Sequence, residues 1–135
     1  MISRFLFIFL FFCGIVSCLN NKTKDIEFND SIANVKNAIN SINPVEEIEF
    51  EINPIPGSAQ DLHFIFTTKL INCHDLPSNN DSLRILGKRI ALEIKQKVKD
   101  PGNYEKFDIL FVTRIDNAFA TKDSYVGYHY SSEEL

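Results

Sequence analysis

Apolar residues recur along this chain with two periods, and each period marks an element. Ile32, Val35, Ile39 and Ile42 stand at i, i+3, i+7 and i+10, the spacing of one helix face. The spacing predicts a helix that opens near Asn29-Asp30-Ser31, where side-chain oxygens can cap exposed N–H groups. It ends at Asn43-Pro44, because proline disfavours helical geometry in the residue before it. From Glu46 to Asn53 the period becomes two, with Ile48, Phe50 and Ile52 opposite Glu47, Glu49 and Glu51. That predicts a strand with one face on a core and one in water, and three glutamates forming its solvated side. Leu62 to Ile71 predicts a second strand, with Leu62, Phe64, Phe66 and Leu70 on one face. His63, Ile65, Thr67, Lys69 and Ile71 share the other face, which is only half polar and so suits a central strand.

Helical spacing returns after Asp81, the expected cap. Leu83, Leu86, Ile90, Ile94 and Val98 form one broad stripe, lysines fill the last turn, and Asp100-Pro101-Gly102 stops the run. Phe107 to Asp116 carries apolar residues on both faces and predicts a central strand. Asp123 to Tyr130 predicts a fourth, with Val126, Tyr128 and Tyr130 opposite Tyr125, Gly127 and His129. The order is α-β-β-α-β-β. Two helices with single apolar stripes and four alternating strands predict an α+β two-layer sandwich: a four-stranded, mainly antiparallel sheet with both helices on one face. Strand order stays open. If the two central strands are parallel neighbours, the second helix is their crossover.

The first eighteen residues follow neither period. Arg4 precedes Phe5 to Phe12, an unbroken apolar run, and the stretch closes on Gly14-Ile15-Val16-Ser17-Cys18. Phe5 to Val16 has the length of a signal-peptide core and falls short of the ~20 residues that cross a bilayer. Ile15-Val16-Ser17-Cys18 resembles the lipobox of bacterial lipoprotein precursors: branched aliphatic, aliphatic, small, cysteine. The resemblance covers the leader alone. It implies lipidation of Cys18, cleavage between Ser17 and Cys18, and a mature chain held in the cell envelope by covalent lipid, with the outer membrane favoured. The expected organisation is a signal peptide over 1–17, a lipidated cysteine and polar tether over 18–27, and one α+β domain over 28–135. The tether, Leu19 to Glu27, would have a root-mean-square reach of roughly 15–18 Å.

Composition narrows the partners. The 135 residues carry a formal charge of −4, and removing the leader, whose only charged side chain is Arg4, leaves a more acidic remainder. An acidic domain repels phosphate backbones, so no nucleic-acid partner is expected. Of the three cysteines, Cys13 leaves with the leader and Cys18 carries lipid. Cys73 is left alone, as a shielded thiol or one that pairs with another chain.

Candidate chemistry is sparse. Cys73 and His74 lie in the irregular stretch from Asn72 to Asn80, where they would have to act as a nucleophile–base pair or as metal ligands. No metal-ligand spacing, phosphate loop, dinucleotide fingerprint or nucleophile elbow accompanies them, and the histidines are scattered at His63, His74 and His129. No catalytic residue, metal ligand or cofactor is therefore assigned. On the second helix, Arg84, Lys88, Lys95 and Lys99 form a basic ridge beside Ile85 and Leu92. That ridge could meet a partner protein or anionic headgroups; its simpler reading is a solvated face, with the first helix covering the two apolar residues. Ile65, Val112 and Tyr125 fall on the sheet face away from the helices, as a possible surface for a protein partner or self-association. The expected function is a non-catalytic interaction module on a membrane anchor. A small envelope hydrolase or metal-dependent enzyme around Cys73 and His74 is the alternative, and an inhibitor or immunity-type lipoprotein a third.

Overall fold

A computed structural model describes residues 25–57 and 63–135. The leader, Cys18 and Leu62 lie outside the described residues. The elements are α1 (Ile32–Ile42), β1 (Val45–Pro54), β2 (Phe64–Cys73), α2 (Asn80–Lys97), β3 (Tyr104–Asp116) and β4 (Thr121–Ser131), with a 3₁₀ turn at Pro101–Asn103 before β3. The order is the expected α-β-β-α-β-β.

The four strands lie side by side in chain order, β1-β2-β3-β4. β1 and β2 are antiparallel, as are β3 and β4, and β2 and β3 run parallel at the centre. Parallel neighbours need a long crossover, and α2 supplies it. The sheet is mixed, with two of its three pairings antiparallel.

Capping sets where the helices begin. The Ser31 hydroxyl accepts the Asn34 N–H at 3.2 Å, and Asp30 Oδ1 accepts from Ser31 N and Asn34 Nδ2. Asn79, not Asp81, caps α2: its side-chain oxygen accepts the Ser82 N–H at 2.8 Å, and Asp81 sits inside the first turn. An acidic residue there complements the helix dipole without capping.

The core lies between the helices and one sheet face. Val35 and Ile39 from α1 and Ile90, Ala91 and Ile94 from α2 bury against Ile48, Phe66, Leu70, Phe107, Ile109 and Tyr130. Phe66 sits at the centre of an aromatic cluster with Phe28, Phe50, Tyr104 and Phe107, all at ring separations of 5.2–6.1 Å. Such edge and offset contacts add to the area that the rings bury.

Two expectations change. Phe28 forms a β-bridge with Val98, Asn29 N donates to Lys97 O at 2.8 Å, and Lys99 N donates to Glu27 O at 2.9 Å. Ile26 also packs against the core. Ile26 and Glu27, inside the stretch expected to be tether, are therefore part of the folded domain. Second, α1 does not cover the reverse side of α2. Ile85 is 71% exposed and Leu92 also lies open, because both point away from the stripe that meets the sheet.

Candidate functional site

The sheet face opposite the helices is where sequence reasoning placed a binding surface. Its registers set side chains in rows across the four strands. One row runs Glu51, Thr67, Asp108, His129; the next Glu49, Lys69, Leu110, Gly127; the next Glu47, Ile71, Val112, Tyr125; and Arg114 and Asp123 pair beyond them.

Arg114 governs this face. Its Nε and Nη2 bind Asp123 Oδ1 and Oδ2 at 3.0 and 3.1 Å, a bidentate pair along the register with β4. Its Nη1 crosses β2 and reaches Glu47 at 3.2 Å and Glu49 at 3.3 Å on β1. Lys69, between them on β2, bonds Glu51 and stands 3.8 Å from Glu49. The three glutamates are thus countered by two cations from neighbouring strands. Donating hydrogen bonds to Asp123 and Glu49 raises the Arg114 guanidinium above its ordinary value, and the same bond from Arg114 lowers the Asp123 carboxyl. Bidentate geometry fixes an arginine as well as attracting it.

This lattice corrects the expected surface. Val112 is 7% exposed and its register partner Ile71 is buried, so neither is offered to a partner. Ile65 is half-buried. Tyr125, on the edge strand, remains 70% exposed. On the adjoining row His129 Nδ1 stands 2.8 Å from Asp108 Oδ1. That buried oxygen gains a donor only when the proton is on Nδ1.

The basic ridge does not persist as four open cations. Lys99 lies beyond α2 and pairs with Glu27 at 2.7 Å, and Lys95 Nζ donates to Ser132 O at 2.6 Å. Arg84 and Lys88 stay exposed, on the side of α2 that faces the C-terminal residues. There Glu134 has its carboxyl lowered, first by hydrogen bonds from Ser131 and then by these two charges. The ridge and the Ile65–Val112–Tyr125 group lie on opposite layers and do not combine.

Cys73 and His74 diverge. Asn72 takes a left-handed backbone (φ 52°), and beyond it Cys73 ends β2 and packs against the core rather than sitting in a loop. Its Sγ donates to Leu70 O at 3.7 Å, and burial pushes the thiol up to about 11. His74 is exposed, and its backbone N–H donates to Pro44 O. A thiol shifted upwards by burial is a poor nucleophile at neutral pH. Among the described residues, no group of three His, Cys, Asp or Glu side chains is placed to hold a metal ion.

Among the described residues, half of the exposed large apolar side chains lie on the β3–β4 hairpin. β2 stops pairing with β3 at Ile71 and Val112, whereas β3 and β4 stay paired out to Asp116 and Thr121. The hairpin overhangs the sheet as a two-stranded arm. Ile115 is exposed on the arm and Val126 on β4 just inside it, and Phe119 at the tip is 99% exposed. The tip is ordered: Asn117 Oδ1 accepts from Phe119 N at 3.0 Å and Ala120 N at 2.9 Å, and Asn117 N donates to Ala120 O. An asparagine that bonds the backbone two and three residues on holds such a turn. The sequence signal for it was Asn117 itself, a turn residue ahead of Ala118-Phe119-Ala120 in place of a glycine.

No family model, curated protein sequence or solved structure matches this chain.

Proposed function

We propose that this chain is a bacterial envelope lipoprotein, held to a membrane by lipid on Cys18, whose α+β domain is a non-catalytic interaction module. The lipobox-like run Ile15-Val16-Ser17-Cys18 carries the anchoring half of the proposal. One observation carries the other: among the described residues, four of the eight exposed large apolar side chains lie on one hairpin, Ile115 and Phe119 on its ordered overhang and Tyr125 and Val126 at the base of it. A large apolar side chain fully exposed on a hydrogen-bonded turn costs solvation free energy, and an interface recovers it.

The arm also points the right way. β3 enters the sheet beside the Phe28–Val98 bridge, where the chain joins the domain, and its 13 residues carry it to the other end. At about 3.3 Å per residue that separates the tip from the anchored end by roughly 40 Å. The tether reaches less than half of that distance, so a domain standing on its anchor displays the hairpin away from the membrane.

Cell fractionation tests the proposal. The full chain should sediment with the envelope and Cys18→Ala should not reach its mature form there. Phe119→Ser should leave fold and location intact while removing the chain's biological effect. Unchanged activity in that variant would sink the interaction reading of the arm.

A further inference from the structure

We infer that the exposed edge of β4 pairs with the same edge of a second copy of this chain, antiparallel about a two-fold axis at Val126. The inference rests on the interaction-module reading and names its partner.

The two edges of the sheet are guarded differently. β1 carries Glu46, Glu47, Glu49 and Glu51 and closes on Pro54. β4 between Ser124 and Tyr130 carries no lysine, no proline and no register shift, and these are the devices that keep an edge from pairing. The backbone parity of β4 follows from bonds at its two ends: Asn117 N donates to Ala120 O, and Ser132 N donates to Glu105 O. Even-numbered residues of β4 therefore bond inwards to β3. Asp123, Tyr125, Gly127 and His129 turn N–H and C=O outwards along the terminal strand of the sheet. Ser131, next in the series, has its N–H capped by Glu134 Oε2 at 2.8 Å, which closes the edge there.

The open run is self-complementary about Val126. Tyr125 falls opposite Gly127 of the second copy, and Asp123 falls opposite its His129, on the same sheet face. Gly127 leaves a gap on this face, and a Cβ there would stand 2.7 Å from Leu110 Cδ2, so that leucine end would have to move. The 70% exposed Tyr125 ring would cover that gap, as an aromatic opposite an edge glycine does. Asp123 and His129 give opposite charges across the seam when the imidazole is protonated. On the helix face Val126, 48% exposed, meets its own copy. Lys122 meets Tyr130 and Ser124 meets Tyr128. No like charges face each other.

Disulfide trapping in intact cells reads this register. The full chain carries Cys73→Ser as background, and single cysteines are added. Val126→Cys stands at a non-hydrogen-bonded pair, where Cβ atoms come within about 4.5–5.5 Å, and mild copper–phenanthroline oxidation should give several-fold more disulfide dimer than Ser124→Cys. In the proposed register two Ser124 residues are about 13–14 Å apart along the seam, beyond disulfide reach. Co-expressed Ser124→Cys and Tyr128→Cys chains should link to each other, which keeps the test open if Val126→Cys fails to fold. No dimer at either pairing, or equal dimer at Ser124 alone and Val126 alone, would overturn the inference. Dimer in the Cys73→Ser background itself would report a free thiol at Cys13 or Cys18 and count against the lipid anchor, not the seam. The seam is then read in chains with both those cysteines changed to serine.

Discussion

The Tyr130 hydroxyl lies where a side chain on Gly87 would begin. A Cβ added at Gly87 would stand 2.5 Å from Tyr130 Oη, and that hydroxyl donates to Arg84 O at 2.6 Å. β4 is thus docked to α2 through a glycine in the middle of the helix, a position where glycine costs about 1 kcal/mol relative to alanine. Gly87→Ala should nevertheless destabilise the domain by about 1–2 kcal/mol in urea unfolding, because overpacking exceeds the propensity gain. In a Tyr130→Phe background, which itself loses about 1 kcal/mol of hydrogen bonding, the same alanine should become neutral or stabilising. Simple additivity of the two changes would contradict the contact.

Arg114→Gln should lower the unfolding midpoint by removing the link from Asp123 to Glu47 and Glu49. The charge part of the loss is screened when the Debye length falls to about 3 Å in 1 M salt. The gap between wild type and variant should therefore narrow as salt rises. A salt-independent gap would assign the effect to the aliphatic stem alone.

Acid should unpick the same link. The Asp123 carboxyl is held below its ordinary value, first by the Arg114 hydrogen bond, so the folded state binds its proton less readily than the unfolded state does. Its contribution is complete above the ordinary aspartate value of about 3.9 and lost as pH falls through the lower folded value. Unfolding midpoints measured from pH 6 downwards should fall more gently below about pH 4 in Asp123→Asn than in wild type.

Cys73 should be slow to react. Burial raises its thiol to about 11, so at pH 8 the folded chain holds on the order of a hundredth of the thiolate that the unfolded chain does. Alkylation by iodoacetamide, followed by mass spectrometry of the peptide that contains Cys73, should be slower by that factor in the native protein and reach the unfolded rate in urea. Equal rates would place the thiol in solvent. As a group raised in the folded state, it contributes stability below the unfolded value that is lost as pH climbs towards 11.

Local periods carried most of the fold. The alternation of Ile48, Phe50 and Ile52 and the stripe from Leu83 to Ile94 each bury as their spacing implies, because a strand or helix face is set by neighbours in sequence. What depended on strand order was not legible. Nothing near Glu47 or Glu49 in sequence announces Arg114, which lies two strands away. Val112 read as open, yet it is only 7% exposed. Asn72 hid the fate of Cys73: one left-handed residue broke the alternation and turned the thiol to the core. Gly87 read as a defect in a helix until Tyr130 supplied its reason.

The central claim is that this domain works from a lipid anchor, and labelling tests it most directly. Cells grown with radiolabelled palmitate should yield a labelled band for the wild-type chain and none for Cys18→Ala. An unlabelled wild-type protein, or label that persists after Cys18 is changed, would contradict it.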